Sequence, residues 1–241
     1  MSGHSKWSNI KRKKGVQDKL KGKVFSKMTR LITIAVIEGG GVINPDNNIK
    51  LRLAIDKAKQ ENMPKGNIER AIEKGIGPNK EMLKEVVYEA FGSHGTVLLI
   101  LVTTDSSNRT LSEIRSTLER NHGKLGNYGS VSYLFKKCAS IIFSKKDSKE
   151  EDILNFTEKI SAFDINEDEA YYKVFFPYEQ LGRVKEFTGN LIFEAPEIDY
   201  LPMAKVNLAG DEDKQKIINL IEALEELDDV HKVFTNIDFN G

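Results

Sequence analysis

Apolar residues recur at three- and four-residue spacing through KVFSKMTRLITIAVIE, residues 23–38. Val24, Met28, Leu31, Ile32, Ala35 and Val36 fall on one helical face, so a helix is predicted there. Gly39-Gly40-Gly41 stops it, and GGGVINPDNN reads as a loop. In a second predicted helix Ile49, Leu51, Leu53, Ile55 and Ala58 are apolar, with Lys50, Arg52, Lys57 and Lys59 among the polar positions. A third carries Ile68, Ala71 and Ile72, with Pro64 in its first turn and Gly75 as its C-terminal cap. Residues 1–75 thus read as all-helical. Residues 1–22, poor in apolar side chains and holding Gly15 and Gly22, are expected to be mobile or loosely docked until bound.

The pattern then changes period. EVVYEAFG (85–92) and TVLLILVTTD (96–105) read as two strands joined by Gly92-Ser93-His94-Gly95. Thr110 and Glu113 fit a capping box opening the helix TLSEIRSTLERN. VSYLF (131–135) and SIIFS (140–144) are strand-like. EEDILNFTEKIS reads as a helix, YYKVFFP as a strand, and YEQLGRVKEFTG as a helix. APEIDYLPMAKVNL is extended. A long helix, DEDKQKIINLIEALEEL, and a strand, HKVFTNIDF, close the chain. Short strands alternating with helices predict small α+β layered domains. The last helix and strand are expected to return to the first of them.

The apolar fraction of 39%, with 12 Phe, supports real cores in 241 residues. The longest apolar run, near 96–102, is too short to span a membrane, and no apolar signal core follows the basic start. The single cysteine, Cys138, excludes an intramolecular disulfide framework and fits a reducing, cytoplasmic compartment. The net charge of zero hides a segregation. Residues 1–75 carry 17 basic and 7 acidic side chains, 76–146 carry 10 and 6, and 147–241 carry 9 and 23. Such asymmetry points to an anionic partner at the basic end.

Little points to catalysis. His4, His94, His122 and His231 are scattered, away from metal-ligand spacing. Cys138 lies beside a strand with no activating neighbour and reads as a buried structural thiol. Phosphate-loop and nucleophile-elbow patterns are missing. The glycines of HGKLGNYGS, Gly123, Gly126 and Gly129, let backbone N–H groups approach a phosphate. Their loop leaves a helix and enters a strand, however, and reads better as a turn with left-handed positions. Glu225-Glu226 and Asp228-Asp229 read as a solvated acidic helix end. No enzyme activity, cofactor or metal is predicted.

Residues 1–30 hold ten basic residues against one acid, Asp18. The candidate nucleic-acid-binding set is Lys6, Trp7, Lys11, Arg12, Lys13, Lys14, Lys19, Lys21, Lys23, Lys27 and Arg30. Each cation that replaces a counterion on a phosphate contributes by counterion release. Trp7 either stacks on a base or pins the segment to the helical core.

GHSKW (3–7), NIK (9–11), KLRLAIDKAKQENMPKGNIERAIEKG (50–75), NRT (108–110), KLGNYGSVSYLF (124–135) and VFTNIDF (233–239) occur in that order. Together they resemble the YebC/PmpR family, which includes the mitochondrial translational activator of cytochrome c oxidase subunit one. The resemblance implies an α+β protein of three domains: an all-helical N-terminal domain and two small α+β (ferredoxin-like) domains around a cleft. The expected boundaries are 1–78 for the basic helical domain with its N-terminal arm, 79–133 plus 201–241 for a discontinuous α+β domain, and 134–200 for an inserted one. It implies a DNA-binding transcriptional regulator or, alternatively, a ribosome-associated translation factor bound to ribosomal RNA. A third reading, drawn from the acidic excess of residues 147–241, is a protein-interaction module whose C-terminal part docks basic ribosomal or polymerase-associated proteins.

Overall fold

A computed structural model describes residues 18–78, 83–208 and 210–238. Three helices come first: α1 (Asp18–Glu38), α2 (Ile49–Gln60) and α3 (Lys65–Ile76). They enclose Met28, Ile32, Ala35, Val36, Leu51, Ile55, Ala58, Met63, Ile68 and Ala71. Each large apolar side chain buried this way stabilises the fold by about 1.5–3 kcal/mol. Asn48 caps α2 by accepting from the Leu51 N–H at 3.0 Å, and donates to the Ala35 carbonyl at 2.9 Å, tying the start of α2 to the end of α1.

Two readings of this region change. Helix α1 starts at Asp18, five residues before the helix predicted from Lys23, so residues 18–22 are helical. Gly75 does not cap α3; it lies inside the helix, and Gly77 is the cap. A Cβ on Gly75 would stand 2.6 Å from Val36 Cβ and 3.0 Å from the Thr33 carbonyl oxygen. The glycine is there because α1 passes too close for any side chain.

The same compact unit continues with β1 (Lys84–Phe91) and β2 (Val97–Thr104), an unbroken antiparallel hairpin from Lys84 opposite Thr104 to Phe91 opposite Val97. Helix α4 (Ser107–Arg120) and β3 (Lys124–Leu125) follow, and β3 pairs with β1. Far along the chain, β8 (Val206–Asn207), α7 (Asp211–Glu225), β9 (Val230–Thr235) and β10 (Ile237–Asp238) come back to this unit. β9 joins the sheet beside β2, giving the order β3-β1-β2-β9, while β10 and β8 form a parallel pair.

Residues 136–201 form the second compact unit. Its elements are β4 (Phe135–Ser144), α5 (Glu150–Lys159), β5 (Asp164–Glu167), β6 (Tyr171–Phe176), α6 (Val184–Thr188) and β7 (Phe193–Pro202). Strand order β5-β6-β4-β7 with a β-α-β-β-α-β sequence is the ferredoxin-like arrangement. In the other sheet the hairpin takes the two central places instead. Phe143 packs edge-on to Phe156 at 5.0 Å, joining sheet to helix. Cys138 is fully buried, as read. Lys173 and Asp199, both buried, pair at 2.7 Å, and Ser140 donates to the same carboxylate.

Three local readings in the α+β parts also change. VSYLF is not a strand: Ser132–Leu134 is a 3₁₀ turn, and the strand starts at Phe135. YEQLGRVKEFTG is a 3₁₀ turn over Tyr178–Arg183 followed by the short α6. Helix α4 starts three residues before Thr110, whose N–H already bonds the Ser106 carbonyl inside the helix, so the capping box does not form.

Candidate nucleic-acid interface

Lys6, Trp7, Lys11, Arg12, Lys13 and Lys14 lie outside the described residues. Lys19 and Lys21 fall on α1 before the first side chain the structure describes. Lys23, Lys27 and Arg30 follow at spacings of four and three, which places them on one face of α1. Their side chains converge on the C-terminal end of α7. Lys23 Nζ lies 3.5 Å from the Glu226 carbonyl, Lys27 Nζ donates to the Glu225 carbonyl, and Arg30 pairs with Asp229. A helix C-terminus carries unpaired carbonyls and partial negative charge, so cations settle there. These three residues brace the helical segment against the α+β segment that follows it.

Asp229 is 2% exposed and is the centre of this joint. Its Oδ2 accepts from Arg109 at 2.9 Å and from the Thr110 hydroxyl, and its Oδ1 accepts from Arg30. The Thr104 and Thr110 hydroxyls meet at 2.7 Å, and Asp229's own carbonyl accepts the Thr103 N–H at 2.9 Å. Burial alone would raise this carboxyl's pKa. Hydrogen bonds from Thr110 and Arg109 and the charge of Arg30 outweigh burial and hold it below the ordinary range. The sequence pattern suggests that Asp229 belongs to a solvated acidic helix end; instead it is buried. Its alignment with Arg109-Thr110, 119 residues away, leaves no local pattern.

His231 sits in the same region with both ring nitrogens buried and without a hydrogen-bond partner among the described residues. Burial first, then the positive charges of Lys27, Lys57 and Arg30, lower its pKa to about 3. It is a neutral, half-buried histidine whose two ring nitrogens are shielded from water.

The glycine loop after β3 is organised by a second buried carboxylate. Glu89 Oε1 accepts the Gly129 N–H at 2.7 Å, while Oε2 accepts those of Val131 and Ser132. Burial opposes ionisation, but the three backbone donors prevail and the pKa is lowered. Backbone N–H groups do converge on an anion in this loop, and the anion is the chain's own Glu89. The Ser130 N–H donates to the Asn127 carbonyl across a turn whose third residue, Gly129, has φ +81°. That is the turn class with a left-handed third position. Tyr128 stands at its corner, 96% exposed. The glycine spacing predicts the turn, but no local pattern singles out Tyr128.

Among the described residues no cluster of three or more His, Cys, Asp or Glu is placed to hold a metal ion. None of the described helices is long and apolar enough to cross a membrane.

A three-helix segment braced on a discontinuous α+β unit, with a ferredoxin-like unit inserted in the latter, defines the class of this protein. Two family profiles match it: the TACO1/YebC protein N-terminal domain over residues 5–78, and the TACO1/YebC second and third domain over residues 83–237. The chain belongs to the TACO1/YebC family. It is 42% identical to a "probable transcriptional regulatory protein" of Borreliella burgdorferi over 240 residues, covering 99% of this chain and 98% of the relative. A protein of the same name from Fusobacterium nucleatum is 41% identical over 241 residues, covering 99% and 96%. The crystal structure of a conserved hypothetical protein from Aquifex aeolicus superposes with a TM-score of 0.85 at 39% identity, over 92% of this chain and 91% of that one.

Proposed function

We propose that this protein is a nucleic-acid-binding regulator of transcription that holds phosphates with its Lys/Arg-rich N-terminal segment and the first turns of α1. The observation that carries the reading is the charge segregation: 17 basic against 7 acidic residues in 1–75, on a chain of zero net charge. Lys27 and Arg30 are committed to Glu225 and Asp229. The phosphate contacts therefore fall to Lys6, Lys11, Arg12, Lys13, Lys14, Lys19 and Lys21, joined by Lys23, whose exposed ammonium lies 3.5 Å from the Glu226 carbonyl. The relatives' name as transcriptional regulators supports DNA as the polyanion.

Binding to duplex DNA as a function of salt tests this. About six phosphate contacts give a slope of roughly −5 in log affinity against log salt. Replacing Lys11, Arg12, Lys13 and Lys14 with Gln together should reduce that slope by roughly 3–4. An unchanged slope would reject the segment as the contact. A defined duplex bound at least ~10³-fold above random DNA supports the transcriptional role. Co-sedimentation with ribosomes, lost in the same variant and with no preferred duplex, replaces it with a translation factor on ribosomal RNA.

A further inference from the structure

We infer that the turn Asn127–Ser130 is a platform for an unpaired nucleobase, with Tyr128 as the stacking ring. The inference rests on the nucleic-acid reading above and adds a second contact of different chemistry.

Exposure is the first ground. Tyr128 is the most exposed described aromatic ring, at 96%, and Tyr133, in the 3₁₀ turn that follows, is 66% exposed. An isolated apolar side chain at a surface is ordinary. A ring at the corner of a backbone held on every side is less so.

Rigidity is the second. Glu89 fixes three N–H groups of the loop, Gly126 donates to the Glu89 carbonyl at 2.7 Å, and Ser130 closes the turn onto Asn127. A Cβ on Gly126 would lie 3.0 Å from the Phe91 ring and 2.5 Å from the Ser130 hydroxyl, so the loop is also packed from beneath. The backbone that carries Tyr128 is ordered before any ligand arrives. Binding then costs little beyond fixing two side-chain torsions, as in other rigid aromatic anchors.

Charge is the third. From Arg120 through Phe135 the chain carries Arg120 and Lys124 and no acidic residue. Lys124 is exposed on β3, opposite Phe91. Glu89, the acid that touches the loop, has its charge met by three N–H donors. An exposed flat ring on a segment whose charged residues are basic suits a base joined to phosphates. Within a duplex the base faces are already stacked, so the platform takes an unpaired base of DNA or RNA.

The test compares Tyr128→Ala and Tyr128→Phe with the four-fold Lys11–Lys14 variant on single-stranded DNA, single-stranded RNA and blunt duplex DNA at two salt concentrations. Thermal midpoints check that the variants stay folded. Removing one stacked base contact costs ~1–3 kcal/mol, so Tyr128→Ala should weaken single-strand binding by roughly 5- to 150-fold. Its salt slope and its duplex affinity should stay unchanged, and Tyr128→Phe should bind as wild type. Loss on both single strands assigns the site to the base itself, and loss on RNA alone assigns it to an RNA ligand. Unchanged single-strand binding in Tyr128→Ala, with weakened binding in the Lys11–Lys14 variant, overturns the platform and leaves the basic segment standing. Equal weakening on duplex and single strand also overturns it. A wild-type protein that binds none of the three removes the nucleic-acid reading itself.

Discussion

Arg30, on the first helix, and Asp229, in the turn between α7 and β9, form an ion pair across 199 residues of chain, on a carboxylate that is 2% exposed. The other oxygen of that carboxylate receives Arg109, from α4. One buried acid thus ties two helices to the start of β9. The desolvated carboxylate is tolerable because each of its oxygens is hydrogen-bonded, and removing the charge would leave two guanidinium groups without their shared partner.

Asp229→Asn should therefore destabilise the protein by about 1–3 kcal/mol, at the low end of buried pairs because both arginines keep contact with water. Urea unfolding checks this through the transition midpoint. The pH dependence has a definite sign. The folded-state pKa is lowered, so the unfolded chain binds the proton more readily. The contribution is complete above about pH 5 and is lost as pH falls through the carboxylate range. The difference between wild type and Asp229→Asn should be constant from pH 5 to 8 and shrink below pH 4. A difference that grows on acidification would contradict the assignment.

Glu89→Gln should loosen one loop and leave the sheet intact. The amide presents one acceptor where the carboxylate presents two, and its NH₂ faces backbone N–H groups. The expected cost is about 1–3 kcal/mol. Hydrogen exchange locates it: the amides of Gly129, Val131 and Ser132 should lose protection while those of β1 and β2 keep theirs. Uniform loss of protection would mean that Glu89 acts on the whole unit.

Where the fold was legible in the sequence, the reason is local. The stripes of α1 and α2 follow from apolar spacing, and the β1–β2 hairpin from its apolar strands and glycine-bounded turn. Thr110 misled because Thr-x-x-Glu also occurs inside helices: α4 has already begun at Ser107, and the Thr110 N–H is bonded to the Ser106 carbonyl. Here Asp229, 119 residues on, takes its hydroxyl. Gly75 misled for the same kind of reason, since what it makes room for is Val36. VSYLF has strand composition, but Glu89 bonds the N–H groups of Val131 and Ser132 and bends the segment into a turn. The basic character of the N-terminus could be counted. That Lys27 and Arg30 are used inside the molecule could not, because their partners Glu225 and Asp229 lie at the other end of the chain.

Two glycines of α3 should respond in opposite directions to alanine. Gly66 has open space around its Cβ position, so Gly66→Ala should stabilise by several tenths of a kcal/mol through helix propensity. At Gly75 the propensity gain is outweighed by collision with Val36, and Gly75→Ala should destabilise by about 1–3 kcal/mol. Val36→Gly removes the Cβ that the new alanine meets, so combined with Gly75→Ala it should cost less than the sum of the two single changes. A double-mutant cycle with no coupling between positions 36 and 75 would refute the close approach.

His231 offers a test at milder pH. Its ring nitrogens are buried and the ring is neutral, with Lys27, Lys57 and Arg30 set against its protonation and Asp229 favouring it. The folded-state pKa of about 3 lies below the ordinary value of 6.5, so the unfolded chain binds the proton first as pH falls. Stability should be full above pH 7 and should decline from about pH 6.5 down to about 3, by a few kcal/mol in all. Replacing His231 with Leu removes the titrating group and keeps an apolar side chain of similar reach. The variant should therefore lose stability less steeply than wild type over that interval, and at pH 5 it should equal or exceed wild type. Urea midpoints from pH 4.5 to 8 measure the two slopes. Parallel slopes would show that His231 titrates at its ordinary pKa, and would remove it from the joint where Lys27 and Arg30 meet the end of α7.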